Sequence, residues 1–239
     1  MTATATDTRA EAVVLDEDLF ALGRRAAEMR DATFGRRATF VRSRQLLPTG
    51  AWKGPRDAAE SYVEEVDLAA VGGIAAARAA GVTLLVGGGD LGLHRAAGMR
   101  SLWRLPFRNG ETDAERTARL RALAAADLPM AVGLGVLPTP EGEPYGLDTL
   151  RLMALCRLTL PAGWHVAADV ATLGPRLAQM CLGFGADELR APIVAERALR
   201  LGANANNPAL TRKEAVTLIR GAGLPAAERF ADGRIEEVT

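Results

Sequence analysis

The run Gly87-Gly88-Gly89-Asp90 is the strongest local motif of the chain. It follows the apolar segment VTLLV (82–86) and opens a short helical stretch. Successive glycines let a backbone approach a ligand closely, and the free N–H groups at a helix start favour an anion. The competing reading is a tight turn in which Asp90 caps the helix. A dinucleotide fingerprint is excluded, because the G-x-G-x-x-G spacing with its later acid is not met. His94 lies just past the turn, where it can face the strand ends; His165 begins a later strand and reads as structural. Neither sits in an H-x-H or H-x-x-x-H pattern, so no histidine-based metal site is expected. Arg104 and Arg108 bracket Leu105-Pro106-Phe107, and arginines there can grip a carboxylate or phosphate through paired N–H donors. They can equally pair with Glu111 or Asp113. Asp169 ends the segment VAADV, where ligand binding and capping are both open. Arg44 and Gln45 follow the first strand and either line the same mouth or stand exposed. Together, Asp90, His94, Arg104 and Asp169 define one candidate pocket for acid–base or anion chemistry. No Ser/His/Asp or Cys/His set can be assembled from spacing, although triads are recognised by geometry.

Only two cysteines occur, Cys156 and Cys181, both within apolar stretches (LMALCRL and LAQMCLGFG). They read as buried structural thiols. Two such residues make neither a disulfide framework nor a metal site. Lys+Arg and Asp+Glu both number 29, so the chain has no basic footprint of a nucleic-acid binder. The N-terminal MTATATDTRAEAVV lacks a basic segment followed by an apolar one, so no signal peptide is expected. No long uncharged apolar run predicts a membrane span, and a cytoplasmic location is the expectation.

Elements must position these residues. Leu19, Leu22, Ala26 and Met29 recur at helical spacing behind Asp16 and Asp18, with Gly35 as a stop. Residues 38–43 read as a strand, 48–56 as a loop and 57–80 as a long helix interrupted near Gly72-Gly73. Strands are expected at 82–86, 99–107, 130–137 and 165–170, with helices at 91–97, 111–125, 147–158 and 173–182. Alternating strands and helices predict an α/β fold with a parallel sheet and its site at the strand-to-helix turns. With about five parallel strands in view, the prediction is a partial or open barrel. The expected layout is a flexible tail over 1–14, the partial barrel over 15–191 and a C-terminal segment over 192–239 packed on it. In that last segment Thr211 and Glu214 form a capping box before AVTLIRGAG.

The C-terminal third resembles that of radical S-adenosylmethionine enzymes of the futalosine menaquinone pathway, the aminodeoxyfutalosine synthase and cyclic dehypoxanthine futalosine synthase group. The likeness runs from Asp148 through Ala154, Arg157, Leu158, Leu173-Gly174, Ala178-Gln179 and Gly185-Ala186-Asp187-Glu188-Leu189. It continues at Glu196, Gly202-Ala203, Thr211, Glu214, Ile219, Ala222-Gly223, Pro225 and Glu228-Arg229. Gly98-Met99-Arg100 and Gly110-Glu111-Thr112-Asp113-Ala114-Glu115-Arg116 are similar to a family strand and its following helix. The stretch over 22–50 is similar to the approach to the family's first barrel strand. The resemblance implies a barrel, and for Gly87 to Asp90 a turn near the cofactor's methionine amine, with Asp90 standing where the family has Glu.

One departure governs what the resemblance implies. The family carries a C-x-x-x-C-x-x-C loop after its first strand, whose thiolates hold an iron–sulfur cluster. The corresponding stretch here, over 46–56, is LLPTGAWKGPR and has no cysteine. The chain is also shorter than the family's, which predicts missing central barrel units. The expectation is therefore a cluster-less relative, a pseudoenzyme with respect to radical chemistry, that binds a small molecule or serves as an accessory protein. No cofactor is expected, and S-adenosylmethionine binding is left open. The alternatives are an enzyme reusing the strand-end mouth, or a homo-oligomer or paralogue partner covering exposed sheet edges.

Overall fold

The computed structural model describes residues 17–108, 110–126, 134–141, 146–193 and 209–239. The expected tail over 1–14, residues 130–133 of the fourth expected strand, and Glu196 and Gly202-Ala203 lie outside them. The first helix, α1 (Leu19–Phe34), starts where Asp18 accepts hydrogen bonds from the backbone N–H groups of Phe20 and Ala21. It stops at Gly35, whose φ of 77° few other residues adopt. There follow β1 (Ala38–Val41), β2 (Ser43–Leu46), β3 (Trp52–Lys53), β4 (Glu60–Glu64), α2 (Gly73–Ala79), β5 (Leu84–Gly87), α3 (Leu91–Ala97) and β6 (Arg100–Phe107). Next are α4 (Asp113–Ala124), β7 (Leu134–Pro140), α5 (Leu147–Thr159), β8 (His165–Asp169), α6 (Val170–Leu182) and β9 (Glu188–Arg190). The chain ends with α7 (Arg212–Gly221), β10 (Ala226–Arg229) and β11 (Ile235–Glu237). Capping boxes at Thr112/Glu115 and Thr211/Glu214 open α4 and α7.

The expected α/β class with a parallel sheet is what the structure has. Among the described residues, one sheet of eleven strands runs β11-β10-β1-β9-β8-β7-β6-β5-β4-β2-β3, parallel except for the outer hairpin partners β3 and β11. Only Arg42 separates β1 from β2, yet the two strands stand near opposite ends of that order. The sheet must therefore curl round until its third and tenth strands meet through one residue. No ladder among the described residues closes it further. The strand count exceeds five because six strands, β2, β3, β4, β9, β10 and β11, were not expected from the sequence. One of them, β4, occupies the segment expected to be helix over 57–80. The C-terminal segment also does more than pack on the barrel: β10 pairs with β1 in parallel register, Ala38 opposite Ala226.

Period-two alternation divides the strands between inside and outside. On β4, Val63 turns outward to pack with Leu85, Ala77 and Val82 under α2. Tyr62 turns inward against Leu84, Val86, Leu102 and Ala167, the small apolar filling of the curl. The larger core lies between helices and strands around Trp164, Phe40, Phe107 and the buried α5 residues Leu150 to Leu155. Each such fully buried side chain contributes about 1.5–3 kcal/mol. No described helix is long and apolar enough to cross a membrane.

Candidate functional site

At the C-terminal ends of the parallel strands lies a cavity of about 380 Å³. Ser43 and Gln45 of β2, Tyr62 and Glu64 of β4, Val86 of β5, Leu102 and Arg104 of β6, Asp169 of β8 and Arg190 of β9 line it. Lys53 of β3 and Thr172 of α6 complete the polar lining. The same alternation explains the choice: Ser43 and Gln45 face in, while Arg44 between them turns out. Arg44 donates from Nε to Ser61 Oγ at 3.0 Å and lies 4.2 Å from the centre of the Trp52 ring.

Arg104 Nη2 donates to Glu64 Oε1 at 2.7 Å, while its Nε is buried without a hydrogen-bond partner among the described residues. Burial pushes the Glu64 carboxyl above its ordinary value, against the opposing pull of Arg104. Burial, with Glu64 nearby, also pushes the Tyr62 phenol up and keeps it a proton donor. Its hydroxyl lies 3.4 Å from Gln45 Oε1. Asp169 lines the cavity and also caps α6, accepting from Ala171 N at 3.1 Å and Thr172 Oγ1 at 2.7 Å. Below the cavity, Arg190 reaches Glu60 Oε2 and Glu188 Oε1, both at 2.7 Å. Arg229 bridges the same two carboxylates, and Arg100 Nη1 adds a contact to Glu60 at 3.0 Å. Burial alone would raise Glu60 and Glu188, but the arginines outweigh it and hold both below the usual carboxylate range. These ions tie β4, β6, β9 and β10 together.

The four residues expected to share one pocket do not. Arg104 and Asp169 line the cavity, whereas Asp90 and His94 are absent from its described lining. Asp90 accepts from Leu93 N at 3.0 Å as the cap of α3. His94 is buried, its Nδ1 3.0 Å from Ser101 Oγ and its Nε2 3.4 Å from Glu65 Oε2. Burial lowers its pKa despite Glu65, so the ring is neutral at pH 7. The glycine turn serves the chain's own groups: Gly89 N donates to Glu65 Oε2 at 3.0 Å. A Cβ on Gly87 would run into the Glu65 side chain, and one on Gly88 into the Arg104 carbonyl. The carboxylate that the turn holds is thus intramolecular. Arg108 is exposed and pairs with Glu141 at 2.7 Å, away from the cavity. Asp187 and Glu188 brace the interior. The sequence reading missed Lys53, Tyr62, Glu64 and Arg190; the β-forming Ser61-Tyr62-Val63 inside a presumed helix was the available signal.

A cluster needs closely grouped thiolates. Over 46–56 the chain forms a tight hairpin, with Leu47 N to Ala51 O and Gly50 N to Leu47 O both at 2.9 Å. The sequence's two cysteines sit on α5 and α6, and burial pushes both thiols up to about 12. These residues do not fit a three-thiolate cluster. Among the described residues no group of three or more His, Cys, Asp or Glu is placed to hold a metal.

No family model matches the chain. It is similar to aminodeoxyfutalosine synthase of Thermus thermophilus, 35% identical over 86 residues. That stretch is 36% of this chain and spans 23% of the relative, less than a quarter of its length. Among solved structures, methylornithine synthase (PylB) aligns over 74% of this chain and 79% of its own, with a TM-score of 0.48 and 13% identity.

Proposed function

We propose that the chain is a cluster-independent relative of menaquinone-pathway radical S-adenosylmethionine enzymes that binds a small polar molecule in the strand-end cavity. The carrying observation is that one cavity gathers polar side chains from β2, β3, β4, β6, β8 and β9. Concave sites with an apolar wall and a few converging polar groups are the ordinary form of small-molecule sites. Val86 and Leu102 supply such a wall here, with Tyr62, Gln45, Arg104 and Asp169 as the orienting groups. The matched stretch of aminodeoxyfutalosine synthase supports the ancestry. The non-fitting thiols support loss of the radical chemistry, and an accessory role in the same pathway is the setting proposed. A thermal-shift screen with S-adenosylmethionine, nucleosides and chorismate-derived acids tests the binding, because a ligand specific to the folded state raises the melting temperature. A concentration-dependent rise for one class is expected; no rise for any class contradicts the proposal.

A second reading, an acid–base enzyme at the same mouth, is favoured by Glu64. Its carboxyl is held above the usual range inside the cavity, beside a phenol that stays protonated. That is the pairing of environments general acid–base chemistry uses. Asp90 and His94 have no part in this version.

A further inference from the structure

Neighbouring parallel strands are usually joined by a crossover that contains a helix. Strands β2 and β4 pair in parallel, Ser43 opposite Glu60, yet residues 47–59 between them form the β3 hairpin and turns without a helix. The outer face of β2, turned away from the strand-end cavity, is therefore covered by this connection and not by a helix of its own. A recess of about 430 Å³ opens there, lined by Arg44, Trp52, Gly54 and Arg56. Gly54 gives it its shape. Its φ is +122°, and a Cβ there would lie 2.9 Å from the Arg44 Cα and the Ser43 carbonyl oxygen. The chain thus passes close over β2 and carries Arg56 to the rim. Arg44 is held in place by the Trp52 ring, 4.2 Å away, and by Ser61 Oγ, 3.0 Å from its Nε. Those contacts use only Nε and the guanidinium face. The Nη groups of Arg44 have no partner among the described residues, and Arg56, which is exposed, has neither an ion pair nor a hydrogen bond among them. Asp57, the next residue, is taken by Arg42. None of the lining residues is acidic. An arginine already fixed by a ring and a hydroxyl loses little further freedom when an anion binds it.

We infer that this outer recess binds the phosphate group of a small organic phosphate monoester, whose oxygens accept from the Nη groups of Arg44 and Arg56. A phosphate monoester carries a charge of about −1.5 to −2 at pH 7, which two guanidinium groups balance. Its three oxygens serve two donor forks at once, whereas the two oxygens of a carboxylate are filled by one. The half-buried Trp52 ring offers apolar surface to the organic part. The site lies on the other side of β2 from the strand-end cavity and does not depend on the function proposed for that cavity.

The test is isothermal titration of the full chain with glycerol 3-phosphate, acetate and glycerol at low salt, repeated on Arg56→Gln and on Lys53→Gln. Both side chains are exposed, so both variants keep the fold. Lys53 lines the strand-end cavity and not the recess, and so serves as the control. Glycerol 3-phosphate is expected to bind more tightly than acetate, and glycerol not to bind. Arg56→Gln is expected to weaken glycerol 3-phosphate about tenfold, through loss of hydrogen bonds from a charged donor, while Lys53→Gln leaves it nearly unchanged. Equal affinity in Arg56→Gln overturns the site. A loss in Lys53→Gln that Arg56→Gln does not share puts the anion in the strand-end cavity and overturns it equally. Acetate binding as tightly as glycerol 3-phosphate overturns the ligand class, and no binding of glycerol 3-phosphate at millimolar concentration overturns the proposal as a whole.

Discussion

Burial decides what Cys156 and Cys181 can do. Each is fully buried, and burial pushes each thiol to about 12, against an ordinary value of about 8.5. At pH 8 both therefore stay protonated, and the thiolate is the form that attacks reagents and binds metals. The native protein is expected to show almost no reaction with Ellman's reagent at pH 8, and to release two thiols once unfolded in guanidinium. Rapid reaction of the native protein contradicts their placement. The same residue-level logic separates what could be read in the sequence. Charge inside a strand needs a reason, and that singled out Arg104, which lines the cavity. The glycine run showed that a backbone comes close to something, but not that the something is Glu65 and the Arg104 carbonyl.

Asp187 shows how one residue fastens elements. At the start of β9's approach it accepts from Arg157 of α5, from His165 Nδ1 and from Val166 N of β8, the last at 2.7 Å. Burial by itself would raise its pKa; His165 and Arg157 more than reverse this, so the folded value lies below the unfolded one. Its stabilisation is thus present in full above the unfolded value, near 3.9, and is lost as pH falls from there through the folded value. Asp187→Asn is expected to cost about 3–5 kcal/mol in urea unfolding at pH 7, because the buried Arg157 loses its counter-ion. The variant should also lose less stability than the parent as the pH is taken below 4. An unchanged unfolding midpoint contradicts this role. At the scale of elements, helices with periodic apolar faces and clear caps, such as α1 and α3, were legible to within a few residues. Strand β4 was not. Its Glu60 and Glu64 are charged because they meet arginines inside the curl, and acidic residues within an Ala-rich stretch mimic a helix.

Over the whole molecule, a formal charge of zero conceals an uneven distribution. Glu60, Glu188, Arg100, Arg190 and Arg229 gather under the cavity from strands far apart in sequence. No local pattern announces such a cluster, because it exists only once the sheet curls. The strand–helix alternation did announce the parallel sheet. It undercounted the strands in part because β3, β9 and β11 have only two or three residues each and carry no period of their own. We propose that this barrel-like sheet offers a binding cavity in place of a radical-generating centre. The most direct measurement is anaerobic reconstitution of the purified chain with iron and sulfide, followed by assay of iron and acid-labile sulfide per folded chain. Substoichiometric iron that gel filtration removes is the expected result; a stable, stoichiometric iron–sulfur cluster would contradict the account.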